Sequence, residues 1–443
     1  MLKKALDLIH GAVEKVKRSE ELPVPKDSFT QSALVIGGGL SGLLASRIIA
    51  EAGFPVTIIE KSGEIGGNEK FLEIPHREYR KKLIAGVEEN PNIKIYTNSE
   101  VIESSGYGGN FKIRVKTPEE VVDLKVGIII IAVGAKEYRP EGFLYGENPG
   151  VITLYELNEK MASGDISGDV AFIQCVGSRN EEHPWCSRVC CNSAVKKAIA
   201  LREKGHNVTI FYRDMTTYGK DDRYSEAREK GVKFIRFEKD QYPVVSAKNG
   251  KLEVKVTAFG KTSSEVVDTV VLSNAIIPDD ENNRRLSRIL GHPLDKDGFF
   301  TSSADVYPYE EAIKKITKPF ELLSNCIFPV GLAHSPRSFE ESFLIVQDAM
   351  GMSSILLSKK EMPPPNAMYV AEVKEGLCMG CGICVDVCPY SARSIDENKK
   401  IAVVHPYLCD SCGSCVSICP NDASFLRDQK RDQSVAVLDT LLV

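Results

Sequence analysis

The stretch ALVIGGGLSGLLASRIIAEAGFPVTIIEKSGEIGG, residues 33–67, decides the fold. A short apolar run meets Gly37-Gly38-Gly39-Leu40-Ser41-Gly42, an apolar pattern at helical spacing follows, and FPVTII restores an apolar run that ends at Glu60. Strand, helix and strand in that order make a parallel βαβ unit and announce an α/β fold. Glycines at these spacings allow the tight turn and the close approach of backbone to a pyrophosphate, and the helix N-terminus adds partial positive charge. An acid about 20 residues on accepts from ribose hydroxyls, a part Glu60 can take. Gly37, Gly39, Leu40, Ser41, Gly42 and Glu60 are thus candidate dinucleotide-binding residues, and the loop by itself suits NAD and FAD alike.

Outward from this unit, a second βα pattern starts at VAFIQCVGSR (170–179), runs through a helical VKKAIALREKG and ends in the strand NVTIFYR. Strands at 252–259 and 266–274 close it, and CIFPVGLAHSPRSFEESFLIVQDAMG (326–351) reads as a strand and helix returning to the first sheet. The second unit is therefore inserted in the first. Three prolines, Pro363, Pro364 and Pro365, mark a stiff linker. The expected organisation is an N-terminal helix and linker at 1–30, a first domain at 31–165 and 300–360, an insert at 166–299, a linker at 361–370, a separate module at 371–430 and an apolar tail at 431–443. Leu2, Ala5, Leu6, Ile9, Val13 and Val16 share one face of the N-terminal helix, for docking on its own core or on a partner. The mixed charges of the opposite face weaken a membrane-surface reading.

Across 443 residues, 56 Lys and Arg against 61 Asp and Glu leave a net charge of −5, so no global positive field recruits nucleic acid or an anionic membrane. The strongly apolar run at 126–135 falls well short of the ~20 residues a membrane span needs, and MLKKALDLIHGAVEKVKR carries charges where a signal peptide is apolar. No transmembrane segment and a cytoplasmic location are expected. Thirteen cysteines are the outlier: eight lie between Cys378 and Cys419 and four between Cys175 and Cys191. Such clustering reads as ligands rather than disulfides.

Cys378-x-x-Cys381-x-x-Cys384-x-x-x-Cys388-Pro recurs as Cys409, Cys412, Cys415, Cys419 and Pro420, with a period of 31 residues from Cys378 to Cys409. In this bacterial-ferredoxin pattern, three cysteines of one run share a [4Fe–4S] cluster with the fourth of the other. Cys378, Cys381, Cys384 and Cys419 are expected to hold one cluster, and Cys409, Cys412, Cys415 and Cys388 the second. Zinc sites built from paired CxxC elements do not call for two repeated runs ending in Cys-Pro. In the second βα unit, where a nucleotide loop is expected, the chain carries Cys175, Cys186, Cys190 and Cys191 instead. These four thiols point to a third [4Fe–4S] cluster, with a redox-active disulfide or unligated thiols as the alternatives. Trp185 either shields that site or packs. Cys326, alone in an apolar strand, reads as a core thiol.

Glu60-Lys61, Gly66-Gly67 and the later GIIIIAVGA, with Ala132 and Gly134, resemble segments of two-dinucleotide-domain, thioredoxin-reductase-like flavoproteins, whose first nucleotide site holds FAD. The fold class implied is α/β, that architecture followed by a C-terminal α+β ferredoxin domain with two [4Fe–4S] clusters. In the same family Val101 falls where backbone meets the adenine. Gly331, Ser335, His334 and Arg337 replace its Gly-Asp segment near the flavin, ahead of a helix whose N-terminus faces the ring. CVGSR, CSRVCC with NSAVKKA, FYRDMTTYGK, DGFF and GLAHSPRSFEES are similar to the A-type subunit of heterodisulfide reductase and its relatives, including the A-type subunit of quinone-interacting membrane-bound oxidoreductases. Lys196 matches a lysine of that family's helix and approaches the flavin ring or stays a solvated helix residue. The resemblance implies an FAD-centred hub passing electrons between [4Fe–4S] chains, in methanogens by flavin-based bifurcation. Its implied partners are heterodisulfide reductase B- and C-like or quinone-interacting iron–sulfur subunits, in a dimeric assembly that reaches the membrane periphery only through them. The chain departs from the family's longer members in NEKFLEIPHREYRK, which lacks cysteine, and in Leu332, where many carry cysteine. The competing reading is a self-contained NAD(P)H-dependent oxidoreductase like the glutamate synthase small subunit, with Arg213 suited to a 2′-phosphate. Against it stands the missing second glycine loop.

Overall fold

The computed structural model describes residues 2–19, 27–67, 74–217, 223–239, 241–301, 326–362, 370–427 and 431–442. The three-proline linker, the end of FYRDMTTYGK and part of NEKFLEIPHREYRK lie outside them. The chain divides into a larger unit, Thr30–Ser358, and a smaller one that joins Met1–Phe29 to Lys359–Val443.

The larger unit is built on two five-stranded parallel sheets. The first runs Ile327–Pro329, Ile128–Ile131, Ala33–Ile36, Val56–Ile59, Ile93–Tyr96. Its central strands, ALVI and IIII, are buried at every position, as a sheet covered on both faces requires. The second sheet runs Lys233–Arg236, Val208–Tyr212, Val170–Val176, Thr269–Asn274, Val151–Thr153. Each sheet carries an antiparallel three-stranded ribbon, Glu100–Tyr107 to Val121–Val126 in one and Val244–Lys248 to Lys261–Val267 in the other.

The chain leaves the first sheet and returns through one antiparallel pair, Lys136–Glu137 against Ile276–Ile277. This differs from the boundaries read from sequence. Val151–Thr153, assigned above to the first domain, is hydrogen-bonded into the second sheet, and the helix Asp280–Leu290, assigned to the insert, packs on the ribbon strand Glu100–Tyr107. The single strand expected at 266–274 is two, because the chain turns at Asp268, whose Oδ2 accepts from the Asp169 amide at 2.8 Å. The helix Phe339–Leu357 starts on a capping box: Ser338 Oγ accepts from the Glu341 amide at 3.1 Å, and Glu341 Oε2 accepts from the Ser338 amide at 3.0 Å.

In the smaller unit, Ala371–Val373 pairs with Ser424–Leu426 and Arg393–Ile395 with Ala402–Val404, around a core of Ala371, Cys384, Ala402 and Cys415. The apolar tail forms a helix, Arg431–Leu442, packed along the N-terminal helix Leu2–Val16. Gly11 lies against Val437, and Gln433 Nε2 donates to the Arg18 carbonyl at 3.2 Å. The two segments read as separate surfaces thus cover part of each other, and Leu2 and Val16 still stand 76% and 68% exposed. Among the described residues, no helix is long and apolar enough to cross a membrane.

Candidate functional site

A cavity of about 610 Å³ opens where the first βα turn faces the helix Cys190–Glu203. Gly37, Gly39, Leu40, Ser41, Glu60, Lys61, Gly66, Gly67, Val101, Ala132 and Gly134 line it. The cradle admits no side chain at two points. Gly37 has φ +108°, and a Cβ there would sit 2.3 Å from the Ala132 carbonyl oxygen; a Cβ on Gly42 would meet the Gly37 carbonyl oxygen at 2.0 Å. Gly42 therefore acts from beneath the loop. Glu60 Oε2 accepts from the Gly38 amide at 2.6 Å, while Oε1 accepts from the Ser62 amide and hydroxyl at 2.8 and 2.7 Å. These bonds fix the carboxylate at the rim of the loop, where a ribose is bound in such folds.

The third side of the cavity comes from Asn192, Ser193 and Lys196 on the inserted unit's helix, so Lys196 is brought to the site. Arg337, Ser338 and Phe339 reach it at the start of the helix Phe339–Leu357, placing that N-terminus at the cavity. Gly331, His334 and Ser335 are not among the described residues that line it. The turn Gly331–Ala333 packs Gly331 against Ser41, and His334 Nδ1 accepts from Arg337 Nη2 at 2.6 Å. Of that segment, Val330, Leu332 and Arg337 face the cavity. The Val101 carbonyl accepts from Arg285 Nη1 at 2.8 Å, so this oxygen is already engaged.

Sequence reasoning missed several liners. Asp279 is bridged by Lys136 at 2.7 Å and Lys61 at 3.2 Å; burial pushes its carboxyl up, but the two ammonium groups outweigh it and hold it below the usual range. His76 stacks on Phe339 with ring centroids 4.0 Å apart. Nothing local marks these residues, since each partner lies far away in sequence.

Glu137, on the crossing strand, has its carboxyl pushed up to about 6 by burial, with the neighbouring Glu156 adding to the effect. Asn274 Nδ2 donates to it at 3.3 Å. The folded state thus holds a proton that the unfolded chain, near its ordinary 4.5, releases earlier. Stability falls as pH rises from about 4.5 to about 6, by up to about 2 kcal/mol, and stays lower above that. Thermal midpoints under anaerobic conditions are expected to show Glu137→Gln more stable than the parent at pH 7, with less than half of that advantage left near pH 5. An equal difference at both values would contradict this.

None of the thirteen cysteines, all of them among the described residues, forms a disulfide. Cys175, Cys186, Cys190 and Cys191 gather at the end of the strand Val170–Val176, and the last two open the following helix in place of a phosphate loop. A hydrogen bond from Cys190 draws the Cys191 thiol down to about 7, helped by the Thr216 amide, and pushes Cys190 up. Burial pushes Cys175 to about 11. The Arg188 amide donates to Cys186 Sγ at 3.3 Å. Trp185 packs: its Nε1 donates to the Ile276 carbonyl at 2.9 Å and its ring meets Phe299 edge-on. Arg213 is 8% exposed and its Nη1 donates to the Arg179 carbonyl at 2.8 Å, which occupies the group suited to a 2′-phosphate.

In the smaller unit, Cys378, Cys381, Cys384 and Cys419 surround one small cavity, and Cys388, Cys409, Cys412 and Cys415 a second. Each cavity thus brings together three cysteines of one run and the fourth of the other. Amides point at the sulfurs: Ala402 to Cys378 at 3.3 Å, Ala371 to Cys409 at 3.4 Å, Ala392 to Cys388 at 3.3 Å. Burial raises the Cys419 thiol, but the Asn421, Ser424 and Ala423 amides more than offset it and hold it below the usual range. Among the described residues, no three Cys, His, Asp or Glu side chains converge closely enough for a single ion; each set rings a space instead. Amide-lined rings of thiols fit iron–sulfur clusters, whose sulfurs take such hydrogen bonds.

Comparison with known proteins adds two family matches: pyridine nucleotide-disulphide oxidoreductase over residues 5–165, and 4Fe-4S dicluster domain over 377–423. The chain is 30% identical to the second of the A-type iron–sulfur subunits of CoB–CoM heterodisulfide reductase in Methanopyrus kandleri, covering 89% of this chain and 74% of that protein. It is 28% identical, with the same coverage, to the A-type subunit of the H(2):CoB-CoM heterodisulfide,ferredoxin reductase of Methanothermobacter thermautotrophicus. A thioredoxin reductase from Lactococcus lactis is 18% identical with a TM-score of 0.49, covering 74% of this chain and 97% of that one.

Proposed function

The chain belongs to the family of A-type heterodisulfide reductase subunits, and from that premise we propose that it relays electrons between iron–sulfur partner subunits through its flavin. It is an oxidoreductase carrying FAD and [4Fe–4S] clusters, and its relatives are subunits of heterodisulfide reductase complexes. When bound, FAD exchanges electrons singly or in pairs and each cluster exchanges one.

One observation carries the relay reading. Cys190 and Cys191 open the helix whose next residues, Asn192, Ser193 and Lys196, line the dinucleotide cavity. A cluster on Cys175, Cys186, Cys190 and Cys191 would therefore lie about one helical turn, roughly 5 Å of rise, from the flavin-facing groups. In this reading the residues at the nicotinamide position of a two-nucleotide flavoprotein bind iron instead, and electrons enter or leave the flavin through metal. Gly37, Gly39, Ser41 and Glu60 hold the dinucleotide; Lys196 and the helix N-terminus at Ser338 favour negative charge on it. The two crossed cysteine sets hold the ferredoxin-type clusters and give electrons a further way in or out.

The partners are iron–sulfur subunits of the heterodisulfide reductase B and C or quinone-interacting kind, in an assembly containing two copies. Native mass measurement after mild extraction from the host is expected to show such subunits bound. An active, strictly monomeric chain reducing a small metabolite unaided would contradict the reading.

A further inference from the structure

The 31-residue repeat gives the two ferredoxin-type halves matching hydrogen bonds. Ala371 and Ala402 are one period apart, and each donates to the first cysteine of the opposite run, Cys409 and Cys378. Ala392 and Ala423 are likewise one period apart and reach Cys388 and Cys419. The symmetry breaks at the next residue. Arg393 stands where the second half has Ser424.

Arg393 is 4% exposed. Its Nη2 donates to Cys415 Sγ at 3.0 Å, while Nη1 is buried with no hydrogen-bond partner among the described residues. It lines the space ringed by Cys388, Cys409, Cys412 and Cys415, and its charge is also felt at Cys384 of the other set. Ser424, 5% exposed and neutral, lines the opposite space. An arginine stays charged in any protein environment, and burying one against a thiol is costly unless something negative offsets it. Four thiolates and the cluster they hold supply that charge, and more of it after taking up an electron.

We infer that Arg393 is a positioning residue that makes the two ferredoxin-type clusters unequal, so that the electron settles on the one held by Cys388, Cys409, Cys412 and Cys415. The inference rests on the ligand sets proposed above. A cation and a hydrogen bond at one sulfur favour the reduced cluster, because reduction adds one negative charge beside them. The direct bond from Arg393 to Cys415 gives the larger share to that cluster, because Cys384 of the other set feels the charge only through space. No bond is made or broken; one electron is redistributed between the two cubanes.

The test is a potentiometric titration of the full chain, purified anaerobically, followed by electron paramagnetic resonance with iron counted in each sample. In the wild type, the two ferredoxin-type clusters are expected to titrate as separate waves at least tenfold apart in equilibrium constant, about 59 mV for a one-electron couple. Arg393→Met is expected to lower the upper wave by at least that factor at unchanged iron, and Arg393→Lys to retain most of it. A purely structural role would leave the waves in place, so an unmoved upper wave in Arg393→Met overturns the inference. If Arg393→Met does not hold its iron, the wild-type waves decide: separate waves support the inference and coincident waves overturn it. Wild-type chain lacking the roughly eight irons of two clusters would overturn the ligand sets themselves, a failure told apart by the iron count.

Discussion

Anaerobically purified protein is expected to carry one FAD and about twelve iron atoms per chain, and Cys186→Ser about eight, with the FAD retained. The loss is large because a cubane that loses one of four ligands in a partly exposed loop exposes its iron to solvent and thiol exchange. Cys186 is the residue to change in testing the proposed third cluster, since Cys175, Cys190 and Cys191 are buried and changing them would disturb the core. Iron near eight in the wild type, unchanged in Cys186→Ser, would show that this group binds no cluster.

Gly37→Val is expected to lose FAD almost entirely while keeping the eight ferredoxin-type irons. The residue sits at φ +108°, where a β-branched side chain costs roughly 1–3 kcal/mol of backbone strain, and its Cβ would lie 2.3 Å from the Ala132 carbonyl oxygen. Backbone must then move, and the pyrophosphate loop cannot keep its shape. The two counts serve as mutual controls: absorbance gives flavin per chain, and iron of at least about eight shows that the ferredoxin-type clusters are kept. Flavin content equal to the parent would show that the loop does not hold the dinucleotide.

Much of this is legible in the sequence, for definite reasons. The GGGLSG turn between two apolar runs, the second βα pattern from VAFIQ to NVTIFYR and the 31-residue cysteine period are local patterns, so two parallel sheets and two paired cysteine sets can be read from them. The crossing between sheets cannot be, because Lys136–Glu137 and Ile276–Ile277 are two residues each and too short for any periodicity. The domain boundary read at 165 therefore falls at about residue 137. The Lys136–Asp279–Lys61 bridge joins residues that no spacing rule connects. The motif around His334 places it at the flavin, whereas the turn at Gly331–Ala333 directs it to Arg337. Arg393 does carry a sequence signal: laying one cysteine run over the other exposes it against Ser424.

The central claim, that this flavin trades electrons with iron–sulfur partners rather than with a nicotinamide, is tested most directly by stopped-flow absorbance on the anaerobic full chain. Mixed with NADH or NADPH, the flavin band is expected to stay unbleached on the timescale of turnover, because Cys175 to Cys191 occupy the phosphate-loop position and Arg213 is already engaged. Mixed with a reduced iron–sulfur protein as donor, the same band is expected to bleach. Rapid bleaching by either nicotinamide nucleotide would contradict the account.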